Sequence, residues 1–521
     1  MSTATRSLVA LSLLCACKTD DDPGLEPLPG TTADPTTTTA VPTTDIPTTA
    51  VPTTAPEPGT TDATTGGDSD SDSDSPGQAC VPQVAWIRQF HSAPPTGHNA
   101  MALAADSSGH ALLAAAFEGA VDLGAGPLVQ QDNLEDAYLA RFAPDGTLVW
   151  DHHLGGEGNQ RITTLATAPG DDILLGGYYW GELALGGAPL PTSLQRDGWL
   201  ARLGPDGAPK WSQSFAGADF DELVAVASDA VGNTLLLAQS PTALSLGGAP
   251  VDGPSGQKAF VAGLDPQGVH VWSRTLGNGS LGDPIDPRSL TVDPTGAVAI
   301  AGSYTGSVDF GAGPLPADPE RRLFVARYAS DGSFVYQRSS TGAATGAVPE
   351  VAGVTTDAAG RVWLGGLFYG QLGMGGPLLA SDGMHDAFVL ALDEAGAPRW
   401  GSRHGGDADS YEVIAALAAE PGGRVAAVGS YDTAIDFGDL HLAPGPAGFI
   451  TLFAPDGAVL WSLPARFGIT GALAEVAFDP AGDLYVAGYF RDTFTLADHD
   501  LAAVAEYDTV LIKILTCPAP L

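Results

Sequence analysis

The sequence predicts an all-β protein: a seven-bladed β-propeller with four main strands per blade, preceded by a tether that cannot bury a core. Three observations predict it. An aromatic residue recurs at Trp86, Trp150, Trp211, Trp272, Tyr336, Trp400 and Trp461, in steps of 64, 61, 61, 64, 64 and 61 residues. A period of that size means one supersecondary unit copied along the chain. Each copy reads as short apolar strands separated by turn signals, and no helical period interrupts them. The last copy ends one strand short, while the first apolar segment is a strand with no partner before it.

From the N-terminus, residues 1–17 read as an export signal. Arg6 provides a positive start, and Ser7–Ala16 is apolar but shorter than the roughly 20 residues that cross a bilayer. The segment ends Leu14-Cys15-Ala16-Cys17, which resembles a bacterial lipobox. That resemblance implies that Cys17 is lipidated and becomes the mature N-terminus. Lys18 follows, then Thr19 and Asp20-Asp21-Asp22. An aspartate directly after the cysteine would resemble an inner-membrane retention signal, and lysine stands there instead. A lysine followed by acids resembles a surface-export signal, implying an outer-membrane lipoprotein, surface-exposed.

Residues 18–78 are expected to be a disordered linker. They repeat Thr-Thr, Val-Pro-Thr-Thr and Ala-Pro, end in an Asp-Ser run, and carry one lysine against 12 acids. Such a segment lacks the large apolar residues needed for a core. Its prolines favour extended conformations, with a reach on the order of 150–190 Å at about 3 Å per residue. The Asp-Ser run has neither the glycine nor the closing glutamate of a calcium loop, so it reads as a solvated spacer.

Residues 79–521 are expected to form the propeller. One unit is clear after Glu222. Leu223–Asp229 reads as a strand, Ala230-Val231-Gly232-Asn233 as a turn and Thr234–Gln239 as a second strand. Leu244–Gly248 is a short extended piece. Ala259–Leu264, the turn Asp265-Pro266-Gln267-Gly268 and Val269–Leu276 complete the unit. Proline second and glycine fourth suit a type I turn. The first turn recurs as Asp106-Ser107-Ser108-Gly109, Asp293-Pro294-Thr295-Gly296, Asp357-Ala358-Ala359-Gly360 and Asp479-Pro480-Ala481-Gly482. The second recurs as Pro144-Asp145-Gly146, Pro205-Asp206-Gly207, Ser330-Asp331-Gly332 and Pro455-Asp456-Gly457. The pattern from Asp357-x-x-Gly360 through Gly365-Gly366 and Asp386-Ala387-Phe388-Val389 to Trp400 resembles the bacterial β-propeller repeat family labelled SBBP, and more distantly NHL-type repeats. The resemblance implies architecture and carries no activity, since propellers host many functions.

The strand at Val84–Phe90 is expected to complete the blade that Val510–Ile514 leaves open, removing a free edge. Aligning Trp86 with Trp150 sets Cys80 opposite Pro144. Aligning Asp508 with Asp136 sets Cys517 opposite Asp145. Both cysteines then fall at the one second turn that the chain does not build covalently. A disulfide Cys80–Cys517 is expected there, as an exported location permits; the alternative is two free buried thiols. The repeating tryptophans, one per blade on the outer strand, are expected to pack between blades rather than to stack sugars.

The charge excludes one partner class. At net −39 the surface repels phosphate backbones, so no nucleic-acid partner is expected. No zinc-protease helix motif, P-loop or serine elbow occurs, and Gly277–Gly282 matches a dinucleotide fingerprint by letter only, since Asp283-Pro284 follows rather than a helix. One constellation remains. Asn99, Glu222, Asp286 and Glu350 stand seven residues before the first-turn aspartate, just ahead of the innermost strand. Arg161 and Glu412 hold about the same place, Glu412 offset by one. Together they predict a polar ring at the channel mouth. Clustered carboxylates could bind a divalent cation such as calcium, or carry raised pKa values; no other cofactor is expected. The reading is therefore a monomeric, membrane-anchored extracytoplasmic lipoprotein whose propeller is a non-catalytic binding or scaffold module for a protein or glycan. The alternatives are a hydrolase or lyase using the mouth carboxylates, and a structural envelope component.

Overall fold

The computed structural model describes residues 81–93, 101–132, 134–187, 189–215, 221–241, 244–245, 258–277, 285–315, 318–342, 349–382, 384–406, 410–438, 440–443, 445–504 and 507–516. All regular structure among them is β, arranged as seven blades. Blade 1 is the antiparallel meander Met101–Ala105, Ala111–Phe117, Asp136–Phe142 and Leu148–Leu154. Blades 2 to 6 follow, their innermost strands being Gly158–Ala168, Glu222–Ser228, Ile285–Val292, Glu350–Thr356 and Glu412–Ala419. Their outer strands are Pro209–Phe215, His270–Leu276, Phe334–Ser339, Pro398–His404 and Val459–Phe467.

Blade 7 joins the two ends of the sequence as expected. Thr470–Phe478, Leu484–Arg491 and Asp508–Leu515 are completed by Gln83–Ala93. That strand runs antiparallel to the C-terminal one, with Gln83 opposite Leu515, Ile87 opposite Ile512 and His91 opposite Asp508. Cys80 and Cys517 lie outside the described residues, as do Cys17, Asn99 and the whole of residues 1–78.

The middle strands explain the apolar runs in the sequence. Ala111–Phe117 is buried at every position, because neighbouring blades cover both faces of each sheet, and such a strand has no polar side to alternate with. The cores accordingly lie between blades. Leu511 and Tyr485 of blade 7 pack with Leu113 and Tyr138 of blade 1, as Leu235 and Val261 of blade 3 pack with Ile300 and Phe324 of blade 4.

The repeating aromatics fasten one blade to the next. The indole N–H of Trp150 donates to the Pro205 carbonyl of the following blade at 3.2 Å. Trp211 does the same to Pro266 at 3.0 Å, and Trp272 to Ser330 at 3.0 Å. Trp86 donates to Pro144 at 2.9 Å, so the ring closes with the contact used inside it. The acceptor turn needs its glycine. Gly146 has φ +81°, and a β-carbon there would stand 2.9 Å from the Trp86 ring. Two of the seven depart from this contact: the Tyr336 hydroxyl is buried without a partner among the described residues, and Trp461 is the other. Its Nε1 is buried without a partner among the described residues; the following blade is blade 7, whose second turn is the one not built covalently.

The first turns form a second belt. Asp106 Oδ1 accepts from the Ser108 and His110 amides, both at 2.9 Å, the local side-chain turn that makes aspartate suit this position. Its other oxygen pairs with Arg141. Arg202 with Asp172, Arg327 with Asp293 and Lys513 with Asp479 repeat the pair from the third strand, whereas in blade 6 Arg424 pairs with Glu420 within the first turn itself. Several of these arginines also reach the next blade: Arg202 donates to the Gly232 carbonyl at 2.7 Å and Arg327 to Gly360 at 2.6 Å. The short middle pieces reach the other way. The hairpin Ala120–Asp122 and Pro127–Val129 of blade 1 adds to the outer strand of blade 7, with Ser92 opposite Val121. Thr493–Leu496 of blade 7 likewise adds to the outer strand of blade 6.

Candidate functional site

In a four-stranded meander both tight turns lie at one end. The second-to-third loops and the crossovers to the next blade lie at the other. The candidate mouth residues stand where the crossovers enter the innermost strands, and so occupy the loop end. Register divides the five described ones into two classes, four in one and Glu412 in the other. Arg161 pairs with Tyr178, Glu222 with Gln239, Asp286 with Ser303 and Glu350 with Leu367. In each strand a bulge follows two residues on. These four are one layer at the mouth.

Glu412 does not belong to it. It pairs with Tyr431 and occupies the position of Gln160, which pairs with Tyr179. Val413 is the true counterpart of Glu350. A one-residue shift on a strand turns the side chain to the opposite face, and Glu412 is fully buried. Neither of its carboxylate oxygens makes a well-formed hydrogen bond among the described residues. Burial pushes its pKa up to about 8; Ser410 opposes that, and Asp386 and Asp432 add to it. The expectation of a raised carboxyl thus falls on a residue beneath the surface. A second one comes from elsewhere: Glu475, on the innermost strand of blade 7, is pushed up to about 8 by burial alone.

The other mouth carboxylates are held by arginines. Arg321 reaches Asp286 at 2.7 Å, Glu350 at 3.4 Å and the Ser303 hydroxyl at 2.7 Å. Arg288 adds a contact of 3.1 Å to Asp286. Arg161 pairs with Glu135 at 2.9 Å. Arg196 stacks on Tyr178 at 4.2 Å from the ring centroid, with Arg161 at 5.9 Å from the same ring. Glu222 acts on that tyrosine too, whose hydroxyl is raised chiefly by burial. Among the described residues no group of three or more His, Cys, Asp or Glu is placed to hold a metal ion.

Glu135, Arg196 and Arg321 were not singled out in the sequence, yet they follow a rule. Each stands just before or at the start of its blade's third strand. Two face the mouth residue of the next blade with opposite charge, Glu135 with Arg161 and Arg321 with Glu350; Arg196 and Glu222, also of opposite charge, both act on Tyr178. Complementary signs at a spacing of 26, 26 and 29 residues were the available signal. In the next blade boundary His385 takes the corresponding place. It stacks between Tyr369 and Tyr411, at 6.1 and 5.0 Å, and burial lowers its pKa.

The aromatics ending the second strands pack as core. Phe117, Tyr179, Tyr304, Phe368 and Tyr431 are buried. Tyr489 is one residue out of their register: Phe490, opposite Asp508, is the counterpart of Phe368 opposite Asp386. Tyr489 therefore faces the mouth side, where it meets Tyr507 edge-on at 5.9 Å.

No protein-family model matches the chain, and no curated protein matches it. Among solved structures it is similar to a protein of unknown function from Bacteroides caccae, with 11% identity over 63% of this chain and 89% of that one, at a TM-score of 0.32. A protein of unknown function from Dyadobacter fermentans shares 12% identity over 83% and 99%, at 0.37. The cobalt-substituted Synechocystis apocarotenoid oxygenase shares 13% over 82% and 93%, at 0.39. Likenesses this distant carry no argument about activity.

Proposed function

We propose that the chain is a cell-envelope lipoprotein of the SBBP-like repeat type, anchored through Cys17, whose propeller is a non-catalytic binding module. The observation that carries the binding reading is the charge pairing at the mouth. General acid–base work needs a group that takes and yields a proton near pH 7 within reach of a substrate. Here Asp286, Glu350 and Glu135 are each engaged by an arginine. Two carboxyls are moved toward that range: Glu412 is fully buried, and Glu475 is shifted by burial with no charged group acting on it. Fixed ion pairs present donors and acceptors in set positions, which suits recognition.

The anchoring half rests on Leu14-Cys15-Ala16-Cys17 and the tether composition. The described chain enters the propeller at the turn end, where Gln83 pairs with Leu515, and the mouth is at the other end. Fractionation of cells making wild type and Cys17→Ser tests the proposal. The variant should leave the membrane fraction and appear soluble or secreted. Unchanged sedimentation would refute anchoring. For binding, wild-type protein should retain an envelope component that a variant with Arg321→Ala and Arg161→Ala loses.

A further inference from the structure

Blade 2 is taller than the repeat requires. In blade 3 the first three strands have seven residues each. In blade 2 they are Gly158–Ala168, Asp172–Gly181 and Ser193–Leu203, with 11, 10 and 11 residues. Apart from one pair at the turn end, Ala168 with Asp172, the added length is at the loop end, where Gly158 pairs with Gly181 and Ser193 with Gly181. Its base joins blade 1, where the Gly158 amide donates to Asp132 at 2.8 Å and the Gln160 amide to the Glu135 carbonyl at 3.0 Å.

This extension carries a sheet face of distinct chemistry. Tyr178 and Trp180 lie two apart on one strand and so share a face. Their partners across the sheet, Arg161 and Asn159, share it with them. Opposite Tyr178 on the third strand is Gly198, which leaves room for the Arg196 guanidinium to lie on the tyrosine ring. Burial falls along the face. Tyr178 is 8% exposed, whereas Trp180 is 50% exposed. Trp180 is not one of the repeating tryptophans. Beside it the Oδ1 of Asn159 is buried and has no hydrogen-bond partner among the described residues, a cost that a ligand donor would relieve.

We propose that Trp180 and Asn159, with the Arg161–Glu135 pair and Arg196, form a binding subsite for a neutral glycan on the raised rim of blade 2. This rests on the binding reading above and names its ligand class. A sugar ring offers an apolar C–H face, which stacks on an indole, and edge hydroxyls that each donate and accept. Asn159 accepts, and the arginine–glutamate pair offers both functions in one plane. Charge favours a neutral ligand: Arg161 is matched by Glu135, Glu222 acts alongside Arg196 on Tyr178, and the chain's net charge of −39 opposes polyanions.

Purified wild-type protein lacking residues 1–17 is titrated calorimetrically with a panel of neutral oligosaccharides: β-glucan, mannan and chitin fragments. Binding of at least one member is expected. Trp180→Ala should weaken it about tenfold and Trp180→Phe less, while Asn159→Ala weakens it through the lost acceptor. Because Trp180 is half exposed, its replacement should leave the melting temperature unchanged, which separates lost binding from lost folding. Binding of no saccharide at millimolar concentration, selective binding of acidic ones only, or equal binding by Trp180→Ala overturns the proposal. So does capture of a protein through Trp180 in the absence of glycan. None of these outcomes affects the Cys17→Ser fractionation, so the glycan claim can fail while the anchoring claim stands.

Discussion

Replacing Glu412 with glutamine should make the protein more stable, and more so as pH rises. The carboxyl is fully buried without a well-formed hydrogen bond among the described residues, and its pKa moves from 4.5 to about 8, with burial the main cause. A raised pKa means that the folded state holds the proton more tightly than the unfolded one. The cost of Glu412 is therefore absent below about pH 4.5, grows through the interval, and levels off above about pH 8. At about 1.4 kcal/mol per pH unit it reaches roughly 3 kcal/mol at pH 7 and roughly 5 kcal/mol at pH 9. That is a large fraction of the ~5–15 kcal/mol that holds a typical domain folded. Glutamine is the informative replacement, since blade 2 has Gln160 in the same register. Its Nε2 donates to the Glu182 carbonyl at 2.8 Å. The Ala434 carbonyl holds the corresponding place in blade 6, closest to Gly406 as Glu182 is to Gly156. Equilibrium urea unfolding at pH 5, 7 and 9 measures the effect. Wild type should lose stability steadily across that range, and Glu412→Gln should lose markedly less, with the two converging near pH 4.5. Parallel pH profiles, or a variant destabilised equally at every pH, would refute the reasoning. Glu475, pushed to the same value by burial, should leave a residual slope in the variant, which a further Glu475→Gln removes.

Other outcomes follow from the ring's construction. Arg327→Met should cost about 3–5 kcal/mol in urea unfolding, because it leaves Asp293 buried without its counter-charge. Cys80 and Cys517 should be oxidised to one disulfide: intact mass should rise by about 2 Da on reduction, and free-thiol labelling of the exported protein should find neither. Labelling of both in native, exported protein would sink that pairing. Limited proteolysis should cut within residues 23–78 and leave a resistant core beginning near Cys80, since loosely packed chain is what proteases engage; early cuts inside the blades would count against it. Deleting residues 79–91 should expose the edge of Asp508–Leu515 and cause aggregation or loss of cooperative unfolding, read by light scattering and calorimetry.

What could be read in the chain was what is local or periodic. The Asp106-Ser107-Ser108-Gly109 turn is written in four residues, because the aspartate bonds amides two and four positions ahead. The outer-strand tryptophans were legible because most blades use the same neighbour contact. Phase alone showed that Gln83–Ala93 must complete the last blade, since each end lacked what the other had. What could not be read were facts of register and of distant pairing. Glu412 and Glu350 differ by one position relative to the bulge, which sends one side chain into the core and the other to the mouth. Tyr489 and Phe490 exchange roles for the same reason. The mouth's charge balance depends on residues 26 to 29 positions apart, such as Glu350 and Arg321, meeting across a blade boundary. Sequence by itself determined the number of blades and how they close, because a repeat imposes its hydrogen-bonding plan on every copy. The tertiary structure decided which carboxyls are paired, buried or free, because those states depend on which side of a sheet a side chain leaves and on what the next blade sets against it.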